Sequence, residues 1–302
     1  SPWAKKHLKT PSYFINREMN KHPRIDIIVP TYNRKNDLQR FISEINKQTY
    51  QNFYVYIIDD CSVEPLYDII PKDKKFNYIR LNENKGQAEA RNLGISAGKG
   101  QIVISMDDDA WFYNDTQALQ KIQSYFANNL DLGCLMFDIL EPQKKWLSDD
   151  RQLDDLQLLG SHITCGCAYS RIALEKINGF SGFFHSGAEE TDLSLRLIKA
   201  NFSIRFGKYI KVFHNYLPGT RSSSWYYQLR KNTTRNDLFI VILHFPGPYT
   251  FFYFLAKSIS HLWYSLTHRN SILAFYASLI GISQAIIKLP RLLVKRTPLS
   301  KK

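Results

Sequence analysis

The segment Gln101-Ile-Val-Ile-Ser-Met106, followed at once by Asp107-Asp108-Asp109, constrains this chain more than any other stretch. An apolar, β-branched run of that length predicts a buried strand. Its end must then gather three carboxylates where a core strand reaches solvent. Like charges so close raise one another's pKa unless a cation joins them. A cluster of oxygen donors suits Mg2+ or Mn2+, ions that keep sites free for water or a substrate phosphate. A solvated acidic loop explains the triplet equally well in isolation, so its surroundings must decide.

That strand belongs to a series. Residues 25–30, 53–59 and 77–81 read as strands, and 36–47 and 86–98 as helices with apolar residues on one face. Alternation at this spacing predicts a mainly parallel sheet with helices on both faces, and ligands of such sheets gather beyond the strands' carboxyl ends. Three of those ends are polar: Thr31-Tyr32-Asn33, Asp59-Asp60 and Asp107 to Asp109. Further on, the reading is a helix near 116–129, a strand at 132–139, a polar loop around 141–155, a strand at 161–170 and a short helix at 171–177. Gly187-Ala-Glu-Glu-Thr-Asp-Leu193 then opens a helix, placing Glu189, Glu190 and Asp192 in or just before its first turn. Acids there complement the helix dipole, and a carboxylate so held is also a rigid, ionised general base. His214 follows a strand-like run and matters only because an oxygen-rich metal site is already in view.

Charge divides the chain. Up to residue 192 there are 23 Lys/Arg against 26 Asp/Glu; afterwards there are 17 against the single acid Asp237. That second part interleaves its cations with Phe, Tyr and Trp, as at a membrane interface. Residues 238–256 and 271–287 are uncharged apart from His244, but the first is broken by Pro246-Gly-Pro248 and the second is short for a spanning helix. Helices lying in the interface, anchored by Lys288, Arg291, Lys295 and Arg296, are therefore expected, against the plainer alternative of a helical subdomain packed on the core. Residues 1–24 are polar and basic, without the apolar stretch of a signal peptide. The four cysteines lack zinc-ribbon spacing and read as reduced thiols of a cytosolic protein.

Taken together, V-P-T-Y-N-R (29–34), I-I-D-D-C-S (57–62), N-K-G-Q-A-E-A-R-N (84–92), M-D-D-D (106–109), G-F (179–180) and E-E-T-D-L-S-L-R (189–196) resemble a family 2 glycosyltransferase of the GT-A fold. The resemblance covers about 25–215 and implies a Rossmann-like α/β domain. It also implies a nucleotide-diphospho-sugar donor, a divalent cation (Mn2+ or Mg2+) and an inverting single displacement. Carried over residue by residue, Pro30, Thr31 and Asn33 would line the nucleotide pocket. Asp59 or Asp60 would accept from the base, and Arg91 would lie near the nucleotide or diphosphate. Asp107 and Asp109 would be the D-x-D pair, Asp109 the more direct metal ligand, with Asp107 or Asp108 facing ribose and sugar. Glu190 falls on the catalytic-base position, where Asp is commoner, and Asp192 stays in reserve. His214 sits where several members place a metal-binding histidine.

The expected organisation is a polar extension (1–24), a GT-A catalytic domain (25–218) and a basic, aromatic helical region (219–302). The expected activity is single-step transfer, of hexosyl or rhamnosyl type, from a UDP-, dTDP- or GDP-sugar to a saccharide or lipid-linked acceptor in bacterial cell-surface polysaccharide synthesis. The chain would be cytoplasmic and peripheral to the inner membrane face, with an anionic membrane rather than nucleic acid as partner; homo-oligomerisation is left open. A processive synthase would carry Q-x-x-R-W, which Gln228-Leu-Arg-Lys231 does not supply. A nucleotidyltransferase would want a Gly-rich loop in place of Pro30-Thr-Tyr-Asn33. An inactive GT-A-like lipid- or glycan-binding module is the alternative from another class, disfavoured by the intact acids.

Overall fold

The computed structural model describes residues 22–142, 144–184, 187–216, 223–267 and 272–298. Most of the polar N-terminal extension and the boundary expected at 218 lie outside the described residues. Contacts divide the chain into two compact units: residues 1–185 with 193–217, and residues 186–192 with 218–302.

The first unit is built on a mixed sheet of eight strands: β1 (Ile25–Thr31), β2 (Phe53–Asp59), β3 (Phe76–Arg80), β4 (Ile102–Met106), β5 (Ala110–Phe112), β6 (Leu132–Leu140), β7 (Gly166–Ser170) and β8 (Ser203–His214). Their spatial order is β3-β2-β1-β4-β7-β6-β8-β5. The first four are parallel, β7 runs antiparallel to both β4 and β6, β6 and β8 are parallel, and β5 is antiparallel to β8. Alternate side chains serve opposite faces. Ile25, Ile27, Val29, Ile102, Ile104 and Met106 join one core with Leu38, Phe41 and Ile42 of helix α1 (Lys35–Ile45). Leu119, Ile122 and Phe126 of α3 (Ala118–Asn128) complete that layer. Ile28, Ile58 and Val103 point the other way, onto Ala88 and Ala90 of α2 (Gln87–Ala97) and onto Leu193 and Leu197.

Most elements stand within a residue or two of expectation, with three differences. The strand expected at 161–170 begins only at Gly166. His162 instead turns inward, its ring nitrogens 2.7 Å from Ser194 Oγ and 2.5 Å from Tyr169 Oη. The polar loop around 141–155 holds a short helix, α4 (Leu147–Asp150), whose Ser148 donates twice to the buried Asp138 carboxylate. Strand β5, directly behind the acidic run, was not expected at all. Helix α5 (Arg171–Lys176) follows β7 as read.

The second unit contains the first turn of α6 (Glu189–Lys199), then α7 (Ser223–His244), α8 (Gly247–Thr267) and α9 (Ile272–Val294). Helix α7 buries Leu238, Phe239, Val241, Ile242 and Leu243, whereas α8 and α9 are amphipathic in the reverse sense. The buried positions of α8 are Ser258, His261 and Ser265, while Phe251, Phe252, Leu255, Ile259 and Trp263 are exposed. On α9 the buried Ala277, Gly281 and Ala285 recur every fourth residue, whereas Ile272, Tyr276, Ile280, Ile287 and Val294 are exposed. Gly281 has a packing reason: a Cβ there would lie 2.6 Å from the Lys231 carbonyl oxygen of α7. Among the described residues, α9 alone is long and apolar enough to cross a membrane by length and composition.

Candidate active site

The site forms where β1, β2 and β4 end side by side. β1 and β2 pair in register to Thr31↔Asp59, and β4 delivers the acidic run next to them. Asp108 and Asp109 are buried rather than solvated, and Asp107 is half-buried. The fold meets each carboxylate with a different group. Arg91 Nη2 donates to Asp107 Oδ1 at 2.6 Å, Thr31 Oγ1 donates to Asp108 Oδ2 at 2.7 Å, and Arg34 pairs with Asp109. His214 Nε2 stands 3.3 Å from the other oxygen of Asp109.

These neighbours set three distinct ionisations. Burial dominates at Asp108 and, with the charges of Asp109 and Asp107, outweighs Thr31 and Arg34, pushing its pKa up to about 8. Burial also opposes ionisation of Asp109, but the hydrogen bond and charge of His214, joined by Arg34, hold it below the usual carboxylate range. His214 responds reciprocally: burial disfavours its cation, yet Asp109 raises its pKa overall.

Strand β5 sets this geometry. It pairs Ala110 with His214 and Phe112 with Val212, and Asn215 N–H donates to the Asp109 carbonyl oxygen at 2.8 Å. The ligand atoms of Asp107, Cys165 and His214 lie within 4.8 Å of one another. His214 Nδ1 is buried without a hydrogen-bond partner, with Glu141 Oε1 at 3.6 Å. An imidazole among crowded carboxylates is a donor set that fits a divalent cation, which would be held by His214 with Asp109 or Asp107; the orphaned Nδ1 faces Glu141 rather than Asp109.

The remaining β1–β2 residues are bound into the loops. Pro30 is buried on β1. Asn33 adopts φ 56°, which asparagine tolerates, and its Oδ1 accepts from Val63 N–H at 2.7 Å. Asp59 is fully buried and accepts from Ser62 N–H, Tyr78 Oη and Arg80. Asp60 accepts from the N–H groups of Lys85 and Gly86, at 2.7 and 2.9 Å. Arg91 is also fully buried, and its Nε donates to Ser105 Oγ at 2.9 Å.

Glu190 and Asp192 fall in the second unit. Asp192 is buried and lies 2.8 Å from His244 Nε2; Glu190 is only half-buried. Ahead of them Gly187 and Ala188 both have positive φ, a conformation costly for alanine. Asn236 Nδ2 secures that turn by donating to the Gly187 carbonyl at 2.6 Å. Sequence reasoning gave no role to Arg34, Cys165 or Glu141. Arg34 lies inside the quoted V-P-T-Y-N-R run, whereas Cys165 read as an ordinary core thiol and nothing local marked Glu141.

A mixed sheet with a carboxylate cluster at its switch from parallel to antiparallel strands defines a GT-A fold, and similar solved structures agree. A mannosyltransferase from Pyrobaculum calidifontis, solved with GDP-Man and Mn2+, aligns over 93% of this chain and 83% of its own at TM-score 0.62 and 16% identity. Staphylococcus aureus TarS 1-349 with UDP-GlcNAc aligns over 90% and 84%, at TM-score 0.66 and 16% identity. Residues 26–188, just over half of the sequence, match Glycosyl transferase family 2, and the chain belongs to that family. A Haemophilus influenzae glycosyltransferase is 33% identical over 45% of this chain and 57% of its own length. Bacillus subtilis TuaG, whose name ties it to teichuronic acid biosynthesis, is 30% identical over 30% of this chain and 38% of its own. The chain spans 16% to 57% of the length of the first curated relatives it matches. Glu190 lies two residues beyond the end of the family match.

Proposed function

We propose that this chain moves one sugar, of hexosyl or rhamnosyl type, from a nucleotide-diphospho-sugar to a hydroxyl of a saccharide or lipid-linked acceptor, with inversion, in bacterial cell-surface polysaccharide synthesis. The observation that carries the reading is the convergence of Asp107, Asp108, Asp109 and His214 at one strand end, each held by its own partner. The donors bound by the mannosyltransferase and TarS, and the teichuronic acid name of TuaG, support it. Bound Mn2+ or Mg2+ would act as a Lewis acid for the charge developing on the departing diphosphate.

The chain's own residues supply the rest. Asp109, kept ionised by His214 and Arg34, is the carboxylate best prepared to hold a cation. Arg91, locked by Ser105, fixes Asp107 for the ribose and sugar. Pro30, Thr31 and Asn33 with Asp59 or Asp60 form the nucleotide side. Of the two base candidates Glu190 is the less buried and falls on the base position of the family's pattern, so it takes the acceptor's proton. Such a base contributes about 10² to 10⁴ in rate. Glu190→Gln should therefore lower transfer by about that factor while donor binding persists; full activity would remove Glu190 from the role. Metal-dependent release of nucleoside diphosphate across a panel of UDP-, dTDP- and GDP-sugars tests the reaction class, and release from none of them refutes it.

The second unit supports work at a membrane. On α8 polar residues inward and apolar residues outward is an arrangement for lipid rather than water, and small residues at every fourth position of α9 suit close helix packing there. Lys288, Arg291, Lys295 and Arg296 add attraction to anionic headgroups. Location at the cytoplasmic face of the membrane is part of the same reading. Co-sedimentation with anionic liposomes tests this, and indifference to them refutes it.

A further inference from the structure

Strand β8 holds His214 between two neighbours. On one side β5 pairs Ala110 with His214. On the other, parallel β6 pairs Leu140 with Phe213, so the residue after β6, Glu141, comes level with the imidazole. Pro142 follows Glu141 and disfavours helical backbone there, which keeps the strand direction for one residue more. The Glu141 carbonyl oxygen then accepts from Lys144 N–H at 3.1 Å, closing a turn, and Lys144 Nζ pairs with Glu141 Oε2. The other carboxylate oxygen, Oε1, is directed at His214, 3.6 Å from Nδ1.

The two ring nitrogens are thus differently placed. Nε2 stands 3.3 Å from Asp109 Oδ1, turned to the acidic run, whereas Nδ1 is buried without a hydrogen-bond partner and faces Glu141. A neutral imidazole carries its proton on one nitrogen and its lone pair on the other. The hydrogen bond made by one nitrogen decides which of the two can bind a metal. At 3.6 Å the Nδ1–Oε1 pair lies just outside hydrogen-bond range, and closing that gap satisfies a buried N–H.

We infer that Glu141 is a positioning residue: its Oε1 accepts from Nδ1–H of His214 and so fixes the tautomer whose Nε2 lone pair is presented to the divalent cation. Carboxylates set behind metal-bound histidines in this way orient the ring and raise its basicity. The inference rests on the metal-dependent reading of the acidic site and deepens it, adding a residue that touches neither cation nor sugar.

The test is Mn2+ binding to the full chain, followed by calorimetry and by electron spin-echo envelope modulation, which detects the nitrogen of a coordinated imidazole. Neither readout needs sugar transfer. The native protein should show the nitrogen modulation. Glu141→Leu should weaken Mn2+ binding by about 10- to 100-fold and diminish the modulation. Glu141→Gln loses the charge but keeps an oxygen acceptor, so it should stay within about fivefold of the native protein with the modulation retained. That pair of variants separates orientation of the ring from simple attraction of the cation. Glu141→Gln as impaired as Glu141→Leu would make the carboxylate a source of charge alone and overturn the inference. Modulation and affinity unchanged in Glu141→Leu would overturn it too, with the metal centre left standing. Absence of nitrogen modulation in the native protein would instead refute His214 as a ligand, and the inference would fall with the reading beneath it.

Discussion

His162 should make the sheet acid-sensitive to a calculable extent. The ring is fully enclosed between Ser194 and Tyr169; burial, aided by the charge of Arg91, lowers its pKa to about 3. A histidine whose folded pKa is depressed binds its proton mainly in the unfolded chain. Stability is therefore whole above the unfolded value near 6.5 and falls as pH drops toward the folded one. Between pH 7.5 and 5.0 the loss is about 2 kcal/mol. That figure is fixed by the unfolded pKa as long as the folded one stays well below 5. Asp108 titrates with the opposite sign across the whole of this range, so the pH dependence of the native protein alone does not isolate His162. The comparison with His162→Gln does, because the shared Asp108 contribution cancels. Hydrogen–deuterium exchange of the amides in Ile102–Met106 and Gly166–Ser170 is the suitable assay, since it reads the opening of the sheet itself. Protection in the native protein should fall by about 2 kcal/mol more than in the variant over that interval. Parallel pH profiles would refute a neutral, enclosed imidazole.

Three further outcomes follow from the geometry. Asp108→Asn should gain stability on the native protein as pH rises from 5 to 8 in the presence of chelator, by on the order of 3 kcal/mol, because a carboxyl with a raised pKa loses its advantage as it ionises; urea titrations at the two pH values decide. Arg34→Gln should tighten Mn2+ binding by about two- to fivefold, the worth of a half-exposed ion pair that a cation must displace from Asp109; weaker binding by calorimetry would make Arg34 a helper rather than a competitor. Gly281→Ala should cost about 1–3 kcal/mol, since the new methyl meets backbone that cannot yield, and an unchanged melting curve for the helical unit would contradict that close approach.

The sheet was legible because burial on both faces forces near-continuous apolar runs, and β1, β2 and β4 carry them. Strand β5 was not, because three residues offer no period and their pairing is decided by β8, a hundred residues away. The acidic run was found by composition, but its burial was not. Sequence shows three like charges, while the Arg34, Thr31 and Arg91 groups that make their enclosure tolerable come from separate segments. Residues 161–165 misread as strand because Ile163 and Cys165 alternate suitably, and the inward pull on His162 is tertiary. The C-terminal helices were anticipated from apolar content. The reversed polarity of α8 and α9 emerges only when exposure is assigned to each side chain.

Strand β8 has an uneven tolerance for change. Its register against β6 jumps from Phe137↔Gly207 to Asp138↔Lys211, leaving slack in the middle of the strand. An added residue near Tyr209 can be absorbed there, provided Ile210 keeps its place in the core. From Val212 to Asn215 the chain is clamped to β5 and to Asp109, and a slip of one residue would send the imidazole to the opposite side of the sheet. Length variation should therefore accumulate before Lys211 and cease after it.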